Sequence, residues 1–172
     1  MTRDMDTENM KICYYMDESY KQDVEDGDPN SWLDFSIMAN DTDIYGNIDE
    51  CNGVTGLASN VMLDLLTSLE MVNSGEKSVI EFEFGPTWLI LQPLNEESVS
   101  IERSTTYSGI KDPEDRLEID TSEAVSKYAF QTEIVSTAKD FVDDVKRINS
   151  ELCTNDNITA INNKIGKISD KG

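Results

Sequence analysis

The chain has 172 residues, the length of one ordinary domain, and its 38% apolar content is enough for a hydrophobic core. Its 35 acidic and 14 basic side chains give a net charge of −21, which opposes binding to nucleic acid or to an anionic membrane. It contains no histidine, which removes the usual general base and the commonest ligand of zinc or iron. We therefore expect a non-enzymatic protein without a metal or other cofactor.

The charge is unevenly distributed along the chain. Between Gln22 and Glu76 there are twelve acidic residues and no lysine or arginine. Such a field speeds encounter with a cationic partner. It also suits adaptation to high salt, where an acidic surface keeps a protein hydrated. The regional deficit of cations favours a partner, because general solvation would coat the surface evenly, but the two explanations are compatible.

The first ten residues form a polar tail with no apolar signal segment, and no apolar run is long enough to span a bilayer. We therefore expect a cytoplasmic protein, and a mature fragment of a secreted protein is the alternative. Its three cysteines, Cys13, Cys51 and Cys153, are widely spaced and odd in number. This pattern favours buried free thiols over a disulfide framework.

The first half of the chain predicts two strands and one helix. Residues 11–16 have the β-branched and aromatic content of a strand, and residues 17–30 read as an acidic connection. A second strand follows at residues 32–38, with alternate apolar residues on one face. After an acidic loop at residues 40–53, a helix with an apolar stripe begins between residues 55 and 59. It is expected to stop at Gly75 in a left-handed cap.

The second half predicts a meander and a long helix. Residues 77–103 read as three successive strands, with Gly85 and Pro86 at a tight turn and a central strand that is apolar throughout. A polar connection leads to a helix over residues 123–152, for which Asp120 and Glu123 resemble a capping box. The isoleucines beyond residue 153 are spaced for a marginal helix.

These elements predict an α+β fold, in which a mostly antiparallel sheet of about five strands, including the three-stranded meander, is covered by two amphipathic helices. We expect residues 1–10 to form a tail and residues 11–152 to form the domain. Residues 153–172 are expected to be a weakly ordered tail or a short helix.

One acidic loop has a partial likeness to the calcium loop of an EF-hand. Asp41 and Asp43 occupy its first and third positions, but Tyr45 takes a ligand position and Asn52 replaces the closing glutamate. The segment before it reads as a strand rather than a helix. An acidic loop with a turn glycine is the better interpretation.

The candidate residues for a partner interface are the carboxylates of the two acidic segments. Trp32 is a candidate anchor because it lies off the apolar face of its strand, although packing across the other sheet face would also explain it. The candidate carboxylates are Asp23, Glu25, Asp26, Asp28, Asp41, Asp43, Asp49 and Glu50.

Four stretches, residues 57–75, 79–93, 98–103 and 127–152, make the chain resemble the immunity proteins of bacterial and archaeal polymorphic-toxin systems. The resemblance lies in a central helix, a Gly-Pro-containing meander and a long C-terminal helix in a small α+β chain. It implies a protein that binds one cognate toxin, often a basic nuclease, and blocks its active site. It supplies no catalytic residues.

Three alternatives remain open from the sequence. The first is a nucleic-acid mimic whose carboxylates are spaced like phosphates. The second is a salt-adapted accessory domain with no charge-based partner. The third is a hydrolase that uses paired carboxylates.

Overall fold

The computed structural model describes residues 9–83, 85 and 87–171. In that part of the chain it has eight strands in two antiparallel sheets and four α-helices. The predicted α+β class is confirmed, with more strands and helices than the sequence indicated. Residues 1–8 of the predicted tail, and residues 84 and 86 at the predicted turn, lie outside the described residues.

The first sheet is built around β2 (Trp32–Ala39). One side of β2 pairs, from Asp34 to Ala39, with β1 (Met10–Tyr15), which lies at an edge of the sheet. The other side is shared by β3 (Thr42–Tyr45) and β4 (Val54–Leu57). The strands β1 and β2 were predicted, whereas β3 and β4 fall where the sequence predicted a loop and a helix start. Each has only four residues, too few for an alternating pattern to reveal a strand, and pairing with β2 fixes it.

A disulfide between Cys13 and Cys51 ties the β3–β4 loop to β1, with the two Cα atoms 5.3 Å apart. The expectation of free thiols was wrong for these two residues. Strand pairing brings them together across 38 positions of sequence. Cys13 lies opposite Ser36 of β2, which is fully buried although it points away from the apolar face of that strand. Cys153 is a free thiol as expected, but it is exposed rather than buried.

Residues 17–30, predicted as an acidic connection, contain the helix α1 (Glu18–Glu25). The side chain of Asp17 caps it by accepting a hydrogen bond from the Tyr20 backbone N–H at 2.8 Å. Tyr20 and Val24, four residues apart, are its buried residues. The Tyr20 hydroxyl also donates to the Pro29 carbonyl at 2.7 Å, which holds the end of the following loop. Two apolar positions are too few to reveal a helix by periodicity.

The second sheet is a meander in chain order. Its strands are β5 (Ser78–Phe82), β6 (Thr87–Pro93), β7 (Ser98–Ser104) and β8 (Ser122–Ser126). The first three were predicted, and the apolar run of β6 is buried between its neighbours as expected. The strand β8 was missed because its residues were assigned to the start of the long helix.

Two predicted helices are present. The helix α2 (Ala58–Asn73) ends as predicted at Gly75, whose φ is +80°. The long helix α3 (Lys127–Ile148) begins four residues later than predicted, where Ser126 Oγ accepts from the Ala129 N–H at 3.0 Å. The predicted capping box was wrong.

Asp120 has a different role from the cap assigned to it. Its buried carboxylate lies 3.3 Å from Arg103 Nε on β7. It also accepts hydrogen bonds from the Thr105 and Leu117 backbone N–H groups. Asp120 therefore fixes the connection between β7 and β8.

The C-terminal segment forms α4 (Asp156–Lys171), a helix of 16 residues that packs against α2 and α3. The prediction of a weakly ordered tail or short helix underestimated it. Its buried side chains are Ile158, Ile161, Ile165 and Ile168. Within the described chain, no helix has the length and apolar character needed to cross a membrane.

Candidate partner-binding surface

The first acidic segment is presented by α1 and the turn after it. Glu25 and Asp26 are exposed at the end of this helix. Asp23 accepts a hydrogen bond from the Ser31 hydroxyl, and Asp28 accepts from the Asn30 backbone N–H at 2.9 Å. Two of these carboxylates thus shape the turn, while the other two face solvent.

Trp32 is the first residue of β2, next to this turn. Its side chain is 44% exposed, and it lies opposite Leu57 of β4. The exposed area is compatible with the predicted anchor role, which stays a prediction.

Asp41 and Asp43 lie in a β-hairpin rather than in the loop predicted from the sequence. Asn40 and Asp41 form the two-residue turn between β2 and β3, with φ values of 51° and 68°. Two-residue turns in which both positions have positive φ favour Asn and Asp, which adopt that conformation more readily than most residues. Asp43 follows on β3, where the Thr121 hydroxyl donates to its carbonyl at 3.4 Å. A strand at this position does not provide the geometry of an EF-hand loop.

Asp49 and Glu50 are exposed in the loop that carries Cys51. Glu50 accepts a hydrogen bond from the Asn52 side chain at 2.9 Å. The two ends of this loop meet closely, since a Cβ added at Gly46 would lie 2.0 Å from the Asn52 carbonyl oxygen. The close approach of Gly46 to Asn52 therefore fixes the two ends of the loop, and the disulfide ties Cys51 to β1.

The predicted carboxylates thus occupy three separate places. Asp28 precedes the start of β2 and Asp41 follows its end, and an eight-residue strand spans roughly 25 Å. The loop of Asp49 and Glu50 is tied to the middle of β1. The structure does not bring these residues into one cluster.

A groove between β1 and α3 holds carboxylates outside the candidate set predicted from the sequence. It encloses about 420 Å³. On the β1 side it is lined by residues 12–14, and on the α3 side the charged lining residues are Glu133, Asp140, Asp143, Asp144 and Arg147. We call this the acidic groove.

Two hydrogen bonds cross the acidic groove and fix its carboxylates. The Ile12 backbone N–H donates to Glu133 Oε1 at 2.8 Å, and the Tyr14 hydroxyl donates to Asp144 Oδ2 at 2.5 Å. Asp144 also lies 3.0 Å from the guanidinium of Arg147, whose side chain is 76% exposed. Asp140 and Asp143 are exposed at the groove rim. Arg147 in the lining, and Lys11 on β1, which acts electrostatically on Glu133, offset part of the charge of the four carboxylates, so the groove has a net negative charge.

Burial raises the pKa of both groups that bond across the groove, the Glu133 carboxyl and the Tyr14 phenol. It raises the pKa of the Glu133 carboxyl, and the neighbouring Asp140 raises it further, while the hydrogen bonds from Ile12 and Thr137 oppose the change. Burial also raises the pKa of the Tyr14 phenol well above its usual range, and its bond to Asp144 adds to this. The exposed carboxylates at the rim, Asp140 and Asp143, are the ones that a cationic group could contact.

The acidic groove adjoins the first predicted segment. The Asn149 side chain, just after α3, donates to the Val24 and Glu25 carbonyls of α1 at 3.1 and 3.3 Å. The predicted carboxylates on α1 therefore lie beside the carboxylates of α3, which are distant in sequence. The sequence did contain a signal for these, because positions 133, 140 and 144 fall on one helical face.

Comparison with protein-family models, with curated proteins and with solved structures found no match for this chain.

Proposed function

We propose that this chain is a non-enzymatic acidic binding protein that neutralises a cationic protein partner, as immunity proteins and antitoxins do. The observation that carries the proposal is the contact of α1 with α3, which places the acidic segment of α1 beside the acidic groove. Complementary charge raises association rates and disfavours wrong partners. A basic toxin such as a nuclease fits both this surface and the resemblance to immunity proteins.

The burial of the groove carboxylates favours binding over solvation. The side chain of Asp144 is 32% exposed. A carboxylate that serves only to hold water is best placed in full contact with water. A partly desolvated carboxylate interacts more strongly with an incoming cation and is screened less by salt.

The test is a pull-down from lysate of the native host with two matched variants. The first, E25Q/D26N/D140N/D143N, removes four exposed charges from α1 and the rim of the acidic groove. The second, E96Q/E97Q/E114Q/D115N, removes four exposed charges elsewhere. Proteins retained at low salt are eluted with rising salt, identified by mass spectrometry and titrated against all three baits.

The proposal predicts one basic protein that the wild type and the second variant retain and the first variant loses. Equal retention by both variants would contradict the proposed surface. If folded bait retains nothing, the charge is better explained by salt adaptation. Displacement of the partner by duplex DNA would favour the nucleic-acid mimic.

A cytoplasmic location is part of this proposal and follows from the sequence expectation alone. The disulfide between Cys13 and Cys51 weighs against it, since stable disulfides are rare in the cytosol. Alkylation of free thiols in intact host cells, followed by mass spectrometry, decides the matter. Alkylated Cys13 and Cys51 would indicate a reducing compartment, and protected ones an oxidising compartment.

A further inference from the structure

The outer edge of β1 runs along the acidic groove. Among the described residues, β1 pairs with β2 only, so its other edge has no neighbouring strand. Because the Ile12 N–H donates to Glu133, it points away from β2. In an antiparallel pair, the N–H groups of successive residues point alternately towards the partner strand and away from it. The N–H groups of Met10 and Tyr14 therefore also point away from β2.

A second cavity extends the acidic groove towards the start of α3. It encloses about 540 Å³, includes Met10 and Tyr128 in its lining, and shares Glu133 with the acidic groove. Tyr128 is 81% exposed. From Tyr128 to Arg147 the helix rises about 30 Å, which matches roughly nine residues of extended chain.

We propose that an extended segment of the cationic partner, rich in lysine and arginine, binds along this groove as a strand added to β1. The inference rests on the proposed function and names the surface by which it acts. The added strand would displace Glu133 from the Ile12 N–H, and its main-chain bonds to the unpaired edge of β1 would supply affinity. Alternate side chains would reach Asp140 and Asp143. Glu133 Oε1 occupies the position in which a carbonyl oxygen of the added strand would accept the hydrogen bond from the Ile12 N–H.

The negative charge of the groove distinguishes between the possible occupants of the outer edge of β1. A second copy of this chain, paired through β1, would bring two sets of groove carboxylates together, which self-repulsion opposes. Residues 1–8 of the chain carry three acidic side chains and one arginine, so they do not complement the groove either. A cationic segment does.

The probe is a fluorescein-labelled peptide of eight residues in which lysine and valine alternate. Its control has the same charge, with the two central valines replaced by proline, which cannot donate to a strand. Anisotropy at low salt is expected to show binding by the probe and about tenfold weaker binding by the control. Equal binding of both peptides would overturn strand addition, because charge alone would then explain the affinity.

Two variants locate the binding surface. We expect D140N/D143N to weaken probe binding about tenfold, since it removes two carboxylates that the lysines would contact. E114Q/D115N, which removes two exposed charges in the β7–β8 connection, should leave binding unchanged. Equal effects of the two variants would overturn the assignment to the groove.

Amide hydrogen exchange tests the register directly. Bound probe should slow exchange of the Met10 and Tyr14 N–H groups and leave Lys11 and Cys13, which face β2, unchanged. The Ile12 N–H is bonded to Glu133 in the free protein and exchanges one acceptor for another. Protection elsewhere, or a dimer of the free protein that is lost when β1 is altered, would overturn the proposal. If the probe fails while the host partner is still captured and still lost with E25Q/D26N/D140N/D143N, this inference fails and the proposed function stands.

Discussion

Glu133 has two contacts with opposite effects on its ionisation. Burial has the largest influence and favours the neutral acid form of Glu133. The hydrogen bond from the Ile12 N–H favours the ionised carboxylate. Its pKa in the folded protein is therefore raised above the usual 4.5. Because the folded state holds this proton more tightly than the unfolded state, the Glu133 contribution to the free energy of unfolding falls as pH rises above 4.5.

The variant E133Q should remove this pH dependence. Glutamine cannot ionise, yet its Oε1 can still accept from Ile12. We expect the free energy of unfolding of E133Q to fall less steeply with pH above 4.5 than that of the wild type, and to be at least as large at pH 7. Urea unfolding at several pH values measures both, and E96Q, altered at an exposed site, is the control. Parallel curves for E133Q and the wild type would show that Glu133 titrates as an ordinary exposed carboxyl.

At the scale of elements, the sequence predicted those that bury many residues in a regular pattern. The strand β6 and the helix α3 carry long apolar patterns, so packing and periodicity agree. The helix α1 has two buried residues, and β8 has Val125 alone. These short elements depend on partners distant in sequence, and local composition does not encode such partners.

The candidate site was predictable only in part, for the same reason. The carboxylates at the end of α1 stand out because they open the stretch from Gln22 to Glu76, which has no lysine or arginine. Those of α3 alternate with lysines and read as an ordinary solvated helix face. Only the packing of α3 along β1 places Glu133 and Asp144 in the lining of a groove.

The helix α4 should contribute to the stability of the whole fold. Ile161 is fully buried, whereas Asn162 beside it is exposed. We expect I161A to lower the free energy of unfolding by about 2–5 kcal/mol, through lost burial and the cavity left behind. The control N162A should change it by less than about 0.5 kcal/mol. Urea unfolding measures both, and similar small effects would mean that α4 is not docked in solution.

The disulfide should stabilise the first sheet by closing a long loop. For the 38-residue separation of Cys13 and Cys51, loop-closure entropy gives about 4 kcal/mol. We expect C13S/C51S to lose a stability of this order, measured by urea unfolding without reductant. With reductant the wild type and the variant should become equally stable, while C153S should match the wild type throughout. A wild type that is insensitive to reductant would contradict a stabilising disulfide.

At the scale of the whole molecule, the net charge of −21 must oppose folding through self-repulsion. Added salt shortens the screening length from about 10 Å at 0.1 M to about 3 Å at 1 M. We therefore expect the thermal unfolding midpoint to rise between these concentrations, and by similar amounts in sodium chloride and choline chloride. Folding that begins only in molar salt, or that requires one particular cation, would instead indicate salt adaptation.

Repulsion and recognition differ in their dependence on where a charge lies, and this difference allows them to be separated. Self-repulsion sums over the whole surface, so D140N/D143N and E114Q/D115N should reduce the salt-induced rise of the unfolding midpoint to a similar extent. Recognition depends on location, so only D140N/D143N should weaken binding of the cationic peptide. Scanning calorimetry and anisotropy on the same two variants make the comparison. If both variants changed binding equally, the acidity would act as a general field, and the acidic groove would have no special part in choosing a partner.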